Sequence, residues 1–234
     1  MKKILLIIIF LLFTNIANAN IALDTNTSAY QADSNSSWTW AYTTTGTNRF
    51  LIMGCLGGSN LDNITGITYN GVSMTLSNSA GIPSGGRWTY LFTLMNPASG
   101  ANNVVVSKSG ADLYSECYAV SYTGVAQTGQ PEVANKGTVA AGSSISVAVT
   151  TLTTGAWIAG YMGLNTANTL FCNKTLRYTA GNEFTCDSNA AVSVGSNTLT
   201  GTPDISANMA MEVIGFAPAV DTPAINRQDI IWDN

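Results

Sequence analysis

Hydrophobic and polar positions along this chain alternate with a period of two, not of 3.6. Residues 37–45 place Trp38, Trp40 and Tyr42 on one face, and residues 144–150 do the same with Ile145, Val147 and Val149. Successive side chains of a strand point to opposite sides of a sheet, so such runs predict strands with one buried face. Residues 87–95 set Trp88, Tyr90 and Phe92 against Thr89, Leu91 and Thr93, and residues 113–122 carry Tyr114, Tyr118, Val120 and Tyr122 together. Residues 209–216 predict a late core strand with Met209, Met211 and Val213 inward and Glu212 outward. Two segments, 49–56 and 156–162, are apolar on both faces and predict buried central strands. No window of a dozen residues keeps an i, i+3, i+4, i+7 stripe, so helices are not expected.

Turn chemistry punctuates the pattern. Asn70-Gly71 separates Ile67-Thr68-Tyr69 from Val72-Ser73-Met74; a two-residue type I′ turn needs φ > 0 twice, which Asn-Gly supplies. Asn96-Pro97-Ala98-Ser99-Gly100 predicts a second turn, before Val104-Val105-Val106. The alternation predicts roughly ten to twelve strands. It runs without a linker through residues 22–217 and is loosest at 124–142, itself strand-like near Val133 and Val139. The expected fold is all-β: a single two-sheet antiparallel β-sandwich, jelly-roll-like, over residues 20–217. A polar tail, 218–234, turns apolar at Ile230-Ile231-Trp232.

Ahead of this domain, Lys2 and Lys3 precede an apolar run from Ile4 to Phe13, and Ala17 and Ala19 supply small residues. That is the three-part pattern of a secretory signal peptide, residues 1–19, with cleavage between Ala19 and Asn20. The apolar run is too short to span a bilayer comfortably, and no later stretch is apolar enough to be a membrane span. The mature protein is expected outside the cytoplasm, secreted, extracellular or periplasmic.

Four segments together carry a resemblance. They are residues 36–55 (SSWTWAYTTTGTNRFLIMGC), 64–75 (ITGITYNGVSMT), 88–107 (WTYLFTLMNPASGANNVVVS) and 118–133 (YAVSYTGVAQTGQPEV). In this order the chain resembles a group of uncharacterised secreted β-sandwich domains, jelly-roll and lectin-like, of bacterial surface and phage proteins. The likeness covers residues 22–133 and is weaker onward to Phe216. It implies a jelly-roll sandwich and brings no catalytic residues.

Composition narrows the function classes. The chain has nine Lys and Arg against thirteen Asp and Glu. Removal of Lys2 and Lys3 with the signal makes it more acidic still, and nucleic-acid binding, which needs a basic surface, is not expected. Charged residues are 9% of the chain, so the surface is neutral and hydroxyl-rich. Export permits disulfides. Cys172 and Cys186 enclose a polar loop and are expected to pair. Cys55 and Cys117 each sit inside an apolar strand, where they either bridge neighbouring strands or remain buried thiols.

The chain has no histidine, which removes Ser-His-Asp and Cys-His catalysis and every His-containing zinc site. Paired carboxylates remain, since glycoside hydrolysis needs only two acids. Glu116 and Glu212 lie mid-strand among apolar neighbours, and alternation predicts that both point to solvent. Glu183 and Asp187, at the Cys172–Cys186 loop, read as solvated acids. Asp24-Thr25-Asn26 and Asp33-Ser34-Asn35 offer oxygens of the kind calcium takes, and are equally ordinary turn residues; no other cofactor is implied. The aromatic residues are the ligand-binding candidates: Trp38, Trp40, Trp88 and Trp232. Period-two aromatics are expected to fill the core, whereas Trp232 docks on the body or meets another chain. The expected function is a secreted non-catalytic binding module, carbohydrate-binding or adhesive, whose partner is a glycan or a surface protein. The alternatives are a self-associating structural subunit of a surface fibre or virion and, behind it, a glycan-acting enzyme.

Overall fold

The computed structural model describes residues 20–31, 36–58, 62–84, 86–110, 114–166 and 169–220. Residues 1–19, with Ala19 of the expected cleavage point, residues Asp33-Ser34-Asn35 and Trp232 lie outside them. Nine strands form the first half: β1 (Ala22–Gln31), β2 (Ser37–Thr44), β3 (Phe50–Gly58), β4 (Ile64–Tyr69), β5 (Val72–Ser73), β6 (Thr75–Gly81), β7 (Arg87–Met95), β8 (Gly100–Lys108) and β9 (Tyr114–Thr123). Eight form the second: β10 (Val133–Gly142), β11 (Ile145–Thr151), β12 (Trp157–Leu164), β13 (Leu170–Cys172), β14 (Thr175–Ala180), β15 (Glu183–Asp187), β16 (Gly195–Pro203) and β17 (Ala207–Phe216). Among the described residues every strand pairing is antiparallel. Asn70 (φ 50°) and Gly71 (φ 75°) make the β4–β5 hairpin turn with both residues left-handed.

The all-β antiparallel expectation is met, but the sheets number four where two were expected. Their orders are β1-β9-β3-β7-β6 and β2-β8-β4-β5 in the first half, and β10-β17-β12-β15-β14 and β11-β16-β13 in the second. Three apolar clusters fill the spaces between them. One lies between the two sheets of the first half, with Tyr42, Ile67 and Val104 against Leu51, Met53 and Phe92. One lies between the two sheets of the second half, with Val147 and Leu199 against Met162 and Met211. The third joins the halves through their five-stranded sheets, with Phe50, Ile52 and Val120 against Ala159, Ile214 and Phe216. The outer sheets keep the one-sided alternation, as in β11 with Ile145, Val147, Val149 and Thr151 buried. The inner strands β3 and β12 are buried on both faces along nearly their whole length. A strand apolar on both faces needs a layer on each side, which a two-sheet sandwich does not offer.

The two halves have the same strand order. Replacing β1, β2, β3, β4, β6, β7, β8 and β9 by β10, β11, β12, β13, β14, β15, β16 and β17 converts one pair of sheets into the other; β5 alone has no counterpart. The registers agree as well. Phe50 pairs with Tyr122 and Ile52 with Val120, as Trp157 pairs with Phe216 and Ala159 with Ile214. Thr44 pairs with Gly100, as Thr151 pairs with Gly195. Even the corner is repeated: the Asn102 amide donates to the carbonyls of Ala98 (3.4 Å) and Gly100 (3.2 Å), and the Asn197 amide to those of Ser193 (2.7 Å) and Gly195 (2.9 Å). Gly100 and Gly195 both have positive φ, 89° and 115°, a backbone state that glycine adopts without strain.

At the seam between the halves, equivalent positions meet. The Phe50–Phe216 ring contact (5.4 Å) is matched by Trp157–Tyr122 (5.9 Å), and Tyr122 and Phe216 touch at the middle (5.0 Å). Register equivalence pairs Gly54 with Tyr161 and Leu56 with Gly163. A Cβ on Gly54 would lie 2.2 Å from the Tyr161 ring, and one on Gly163 would lie 2.8 Å from Leu56. Each glycine is thus the hole for its counterpart's side chain.

Candidate functional site

The four tryptophan candidates separate by environment. Trp38 and Trp40 stack on one another on β2, with ring centroids 4.7 Å apart; Trp38 belongs to the first half's core cluster, and Trp40, half-buried, packs against it. Trp232 lies outside the described residues. Trp88 is the second residue of β7, packs on that cluster by one side and remains half-buried. Glycine at position 81 makes its seat: the Trp88 six-membered ring lies where a Gly81 Cβ would have its neighbours, at 3.3 and 3.4 Å. Two open clefts flank the indole. One, of about 360 Å³, runs between Ser79–Gly81 of β6 and Lys136–Thr138 of β10. The other, of about 380 Å³, is lined by Ile82, Ser84, Gly86 and Arg87. Lys136 reaches across the seam and donates through Nζ to the Ser79 carbonyl at 2.7 Å. A further cleft, of about 260 Å³, lies by Asn20, Trp157 and Pro218, but Trp157 is only 7% exposed and offers little ring face.

The acids are placed otherwise than alternation predicts. Glu212 is 0% exposed and does not point to solvent. It projects from β17 into the seam, where its Oε1 lies 2.5 Å from the Thr89 hydroxyl oxygen. Thr89 has one hydroxyl proton, and the Ala80 carbonyl lies 3.1 Å away to accept it. A protonated Glu212 satisfies both contacts: the carboxyl donates to Thr89, and Thr89 donates to Ala80. Burial pushes the Glu212 carboxyl up to about 8, against the opposing Thr89 bond and Lys136 charge. Glu116 is half-buried, accepts from the Tyr178 hydroxyl at 2.7 Å, and hydrogen-bonds Glu183. Glu183 is not solvated but fully buried, and Tyr161 donates to its Oε2. Burial first, and Glu116 second, push Glu183 well above the carboxylate range, with Arg87 opposing. A second carboxyl beside it favours the protonated form of Glu183, because like charges in contact repel.

Asp187 is also buried, and fully paired. Its oxygens accept from Arg177 Nε (2.7 Å) and Nη2 (2.8 Å), from the Asn189 amide (2.9 Å) and from the Tyr122 hydroxyl (2.6 Å). These groups face the seam because the fold has an inner layer that the two-sheet expectation lacks. The result is polar latching of the two halves within an apolar interface, not an acid pair facing a groove.

Asp24 lies on β1, at the register shift between Leu23 and Asn26, and not in a turn. Its Oδ2 accepts from the Thr45 amide and the Ser121 hydroxyl, both at 2.8 Å, and its Oδ1 from the Thr45 hydroxyl. Among the described residues no three His, Cys, Asp or Glu side chains converge to hold a metal ion. Both disulfides form. Cys55 and Cys117 are directly opposed on β3 and β9, and Cys172 of β13 joins Cys186 of β15 across the second half's sheets. No protein-family model matches the chain, and no curated protein matches its sequence.

The cleft residues Ser79, Lys136 and Thr138 escape a reading of the sequence. They come from β6 and β10, distant in the chain, and meet only because the halves pack face to face. The one local signal is Gly81 beside a strand that carries Trp88 near its start.

Proposed function

We propose that this protein is an exported, non-catalytic binding module whose ligand is a carbohydrate held on Trp88. Each half reads as a jelly-roll-like sandwich, and the chain as two of them joined through their five-stranded sheets. Export is supported by the signal pattern of residues 1–19 and by two disulfides, which persist in oxidising compartments. Among the described residues no helix is long and apolar enough to cross a membrane. The observation that carries the binding reading is the half-buried indole of Trp88 between two clefts lined by hydroxyl and cationic side chains. A rigid aromatic face with a few convergent polar groups is the usual make-up of a small-ligand site. The non-catalytic reading is supported by the acids: Glu183 and Glu212 have no solvent exposure, so neither reaches a glycosidic oxygen.

A glycan array probed with residues 20–234 tests this. Binding to a defined class of saccharide, lost in Trp88→Ala at unchanged melting temperature, is expected. Undiminished binding by that variant, or no saccharide bound at all, overturns it.

The structural-subunit alternative has one observation behind it. The second half's outer sheet has no counterpart of β5, which leaves β13 paired only to β16, with Phe171 58% exposed on it. An edge of that kind accepts a strand from another copy. Light scattering with and without residues 218–234 separates this reading: self-association that depends on the tail supports it.

A further inference from the structure

We propose that the saccharide bound at Trp88 is acidic, with its carboxylate held by Lys136. The inference rests on the carbohydrate reading of the Trp88 clefts and adds a charge to the ligand.

The few cations are unevenly committed. The described basic residues are Arg49, Arg87, Lys108, Lys136, Lys174 and Arg177. Arg177 is bound by both carboxylate oxygens of Asp187, and Arg49 by the carbonyls of Gly46 and Pro97 and the Asn96 side chain. Lys108 is buried. Lys136 is exposed, lines the same cleft as Trp88, and has its described hydrogen bond to the neutral Ser79 carbonyl. An ammonium carries three donors, so two remain for a ligand in that cleft.

The nearest acid does not neutralise it. Glu212 is the direct cross-strand partner of Lys136, but it faces into the seam, where the protonated carboxyl donates to Thr89 and leaves the Thr89 hydroxyl free to donate to the Ala80 carbonyl. Its carboxyl titrates at about 8, so at neutral pH the cleft keeps the Lys136 charge. Arg87 lines the cleft on the other side of the indole, but its guanidinium donates to the Leu164 carbonyl and acts on Glu183. In a chain of formal net charge −4, Lys136 is therefore the cation that the Trp88 cleft offers to a ligand. A sugar ring stacks on the indole by its C–H face, and a ring carboxylate projects from its edge, toward the cleft wall that Lys136 occupies.

The test uses oligomers of hexuronic and sialic acids, each paired with its carboxyl-reduced counterpart, titrated into residues 20–234 by calorimetry. At least one acid is expected to bind ~10-fold tighter than its reduced form, the size of one exposed charge-assisted contact. Lys136→Gln, an exposed and fold-neutral change, is expected to remove that difference, and added salt to shrink it. Trp88→Ala is expected to abolish binding of both forms. Equal binding of acid and reduced forms, both lost in Trp88→Ala, keeps the carbohydrate site and overturns the acidic ligand. An acid preference unchanged in Lys136→Gln also overturns it. Binding of neither form, or binding that survives Trp88→Ala, overturns the underlying site and the inference with it.

Discussion

The hydroxyl of Tyr122, on the last strand of the first half, donates to Asp187 Oδ2 of the second half at 2.6 Å, with both residues fully buried. This bond joins the two halves at the centre of their interface, next to the Arg177–Asp187 ion pair. Tyr122→Phe removes one donor and leaves Asp187 with Arg177 and Asn189, at an expected cost of about 1.5–3 kcal/mol. Asp187→Asn leaves the Arg177 charge without its partner and is expected to cost more, about 3–5 kcal/mol. Urea denaturation of both variants checks the order.

Glu212 makes the protein more stable in mild acid than in base. Its folded-state carboxyl titrates at about 8 against an ordinary 4.5. Below 4.5 both states are protonated and nothing is lost. Between 4.5 and 8 the unfolded chain releases the proton and the folded chain keeps it, so stability falls as pH rises; above 8 the loss levels off. Glu183, raised for the same reason, adds in the same direction. Glu212→Gln keeps a donor for Thr89 and cannot ionise. It is expected to reduce the loss between pH 5 and 8 by on the order of 4 kcal/mol, read from melting curves across that range.

Knob-and-hole packing at the seam predicts strong coupling. Gly54→Ala forces a Cβ into the Tyr161 ring and is expected to cost about 1–3 kcal/mol by overpacking. A smaller residue at 161 relieves the clash, so the double variant Gly54→Ala/Tyr161→Ala is expected to be less destabilised than the sum of the singles. Additive costs would place the two residues apart.

Both disulfides are expected to be complete in exported protein, so alkylation of the denatured, unreduced chain labels none of the four cysteines. The Cys55–Cys117 bond closes a separation of 62 residues and the Cys172–Cys186 bond one of 14. Chain entropy predicts losses of ~4 and ~3 kcal/mol respectively when each pair is replaced by alanine. Thermal melts of the two double variants rank them.

Much of the fold is legible in the sequence. Alternation locates β2 and β11 of the outer sheets but not β13 or β16, whose inward positions include Gly201 and Pro203; Asn70-Gly71 marks its hairpin, and the both-faces-apolar runs at 49–56 and 156–162 are the inner strands. Those two runs already implied layers on both sides. The duplication is hidden because equivalent seam positions carry opposite side chains, Gly54 against Tyr161 and Leu56 against Gly163, so residue identity is lost where geometry is kept. What survives is the corner, Ala98-Ser99-Gly100-Ala101-Asn102 against Ser193-Val194-Gly195-Ser196-Asn197, where a left-handed glycine and a capping asparagine are required twice. The placement of the acids differs from alternation for one reason: alternation says that Glu212 faces away from Met211 and Val213, not whether water or a second pair of sheets lies there. Trp88 is one of four tryptophan candidates in the sequence, but period two groups it with the core residues Tyr90 and Phe92, whereas its place near the start of β7 leaves the indole at the rim.

Seam geometry also bears on ancestry. Two identical halves meeting across a twofold axis must set like against like: glycine on glycine leaves a void, and tyrosine on tyrosine does not fit. A single polypeptide carrying both halves escapes that restriction, since each position evolves as a knob on one side and a hole on the other. The same freedom extends to the rim. The residue preceding Glu183, as Trp88 precedes its register equivalent Thr89, is Asn182, which has no ring to stack on. Among the described residues the second half therefore has no counterpart of the Trp88 rim, and the two halves, alike in strand order, are unlike in what they present to a ligand.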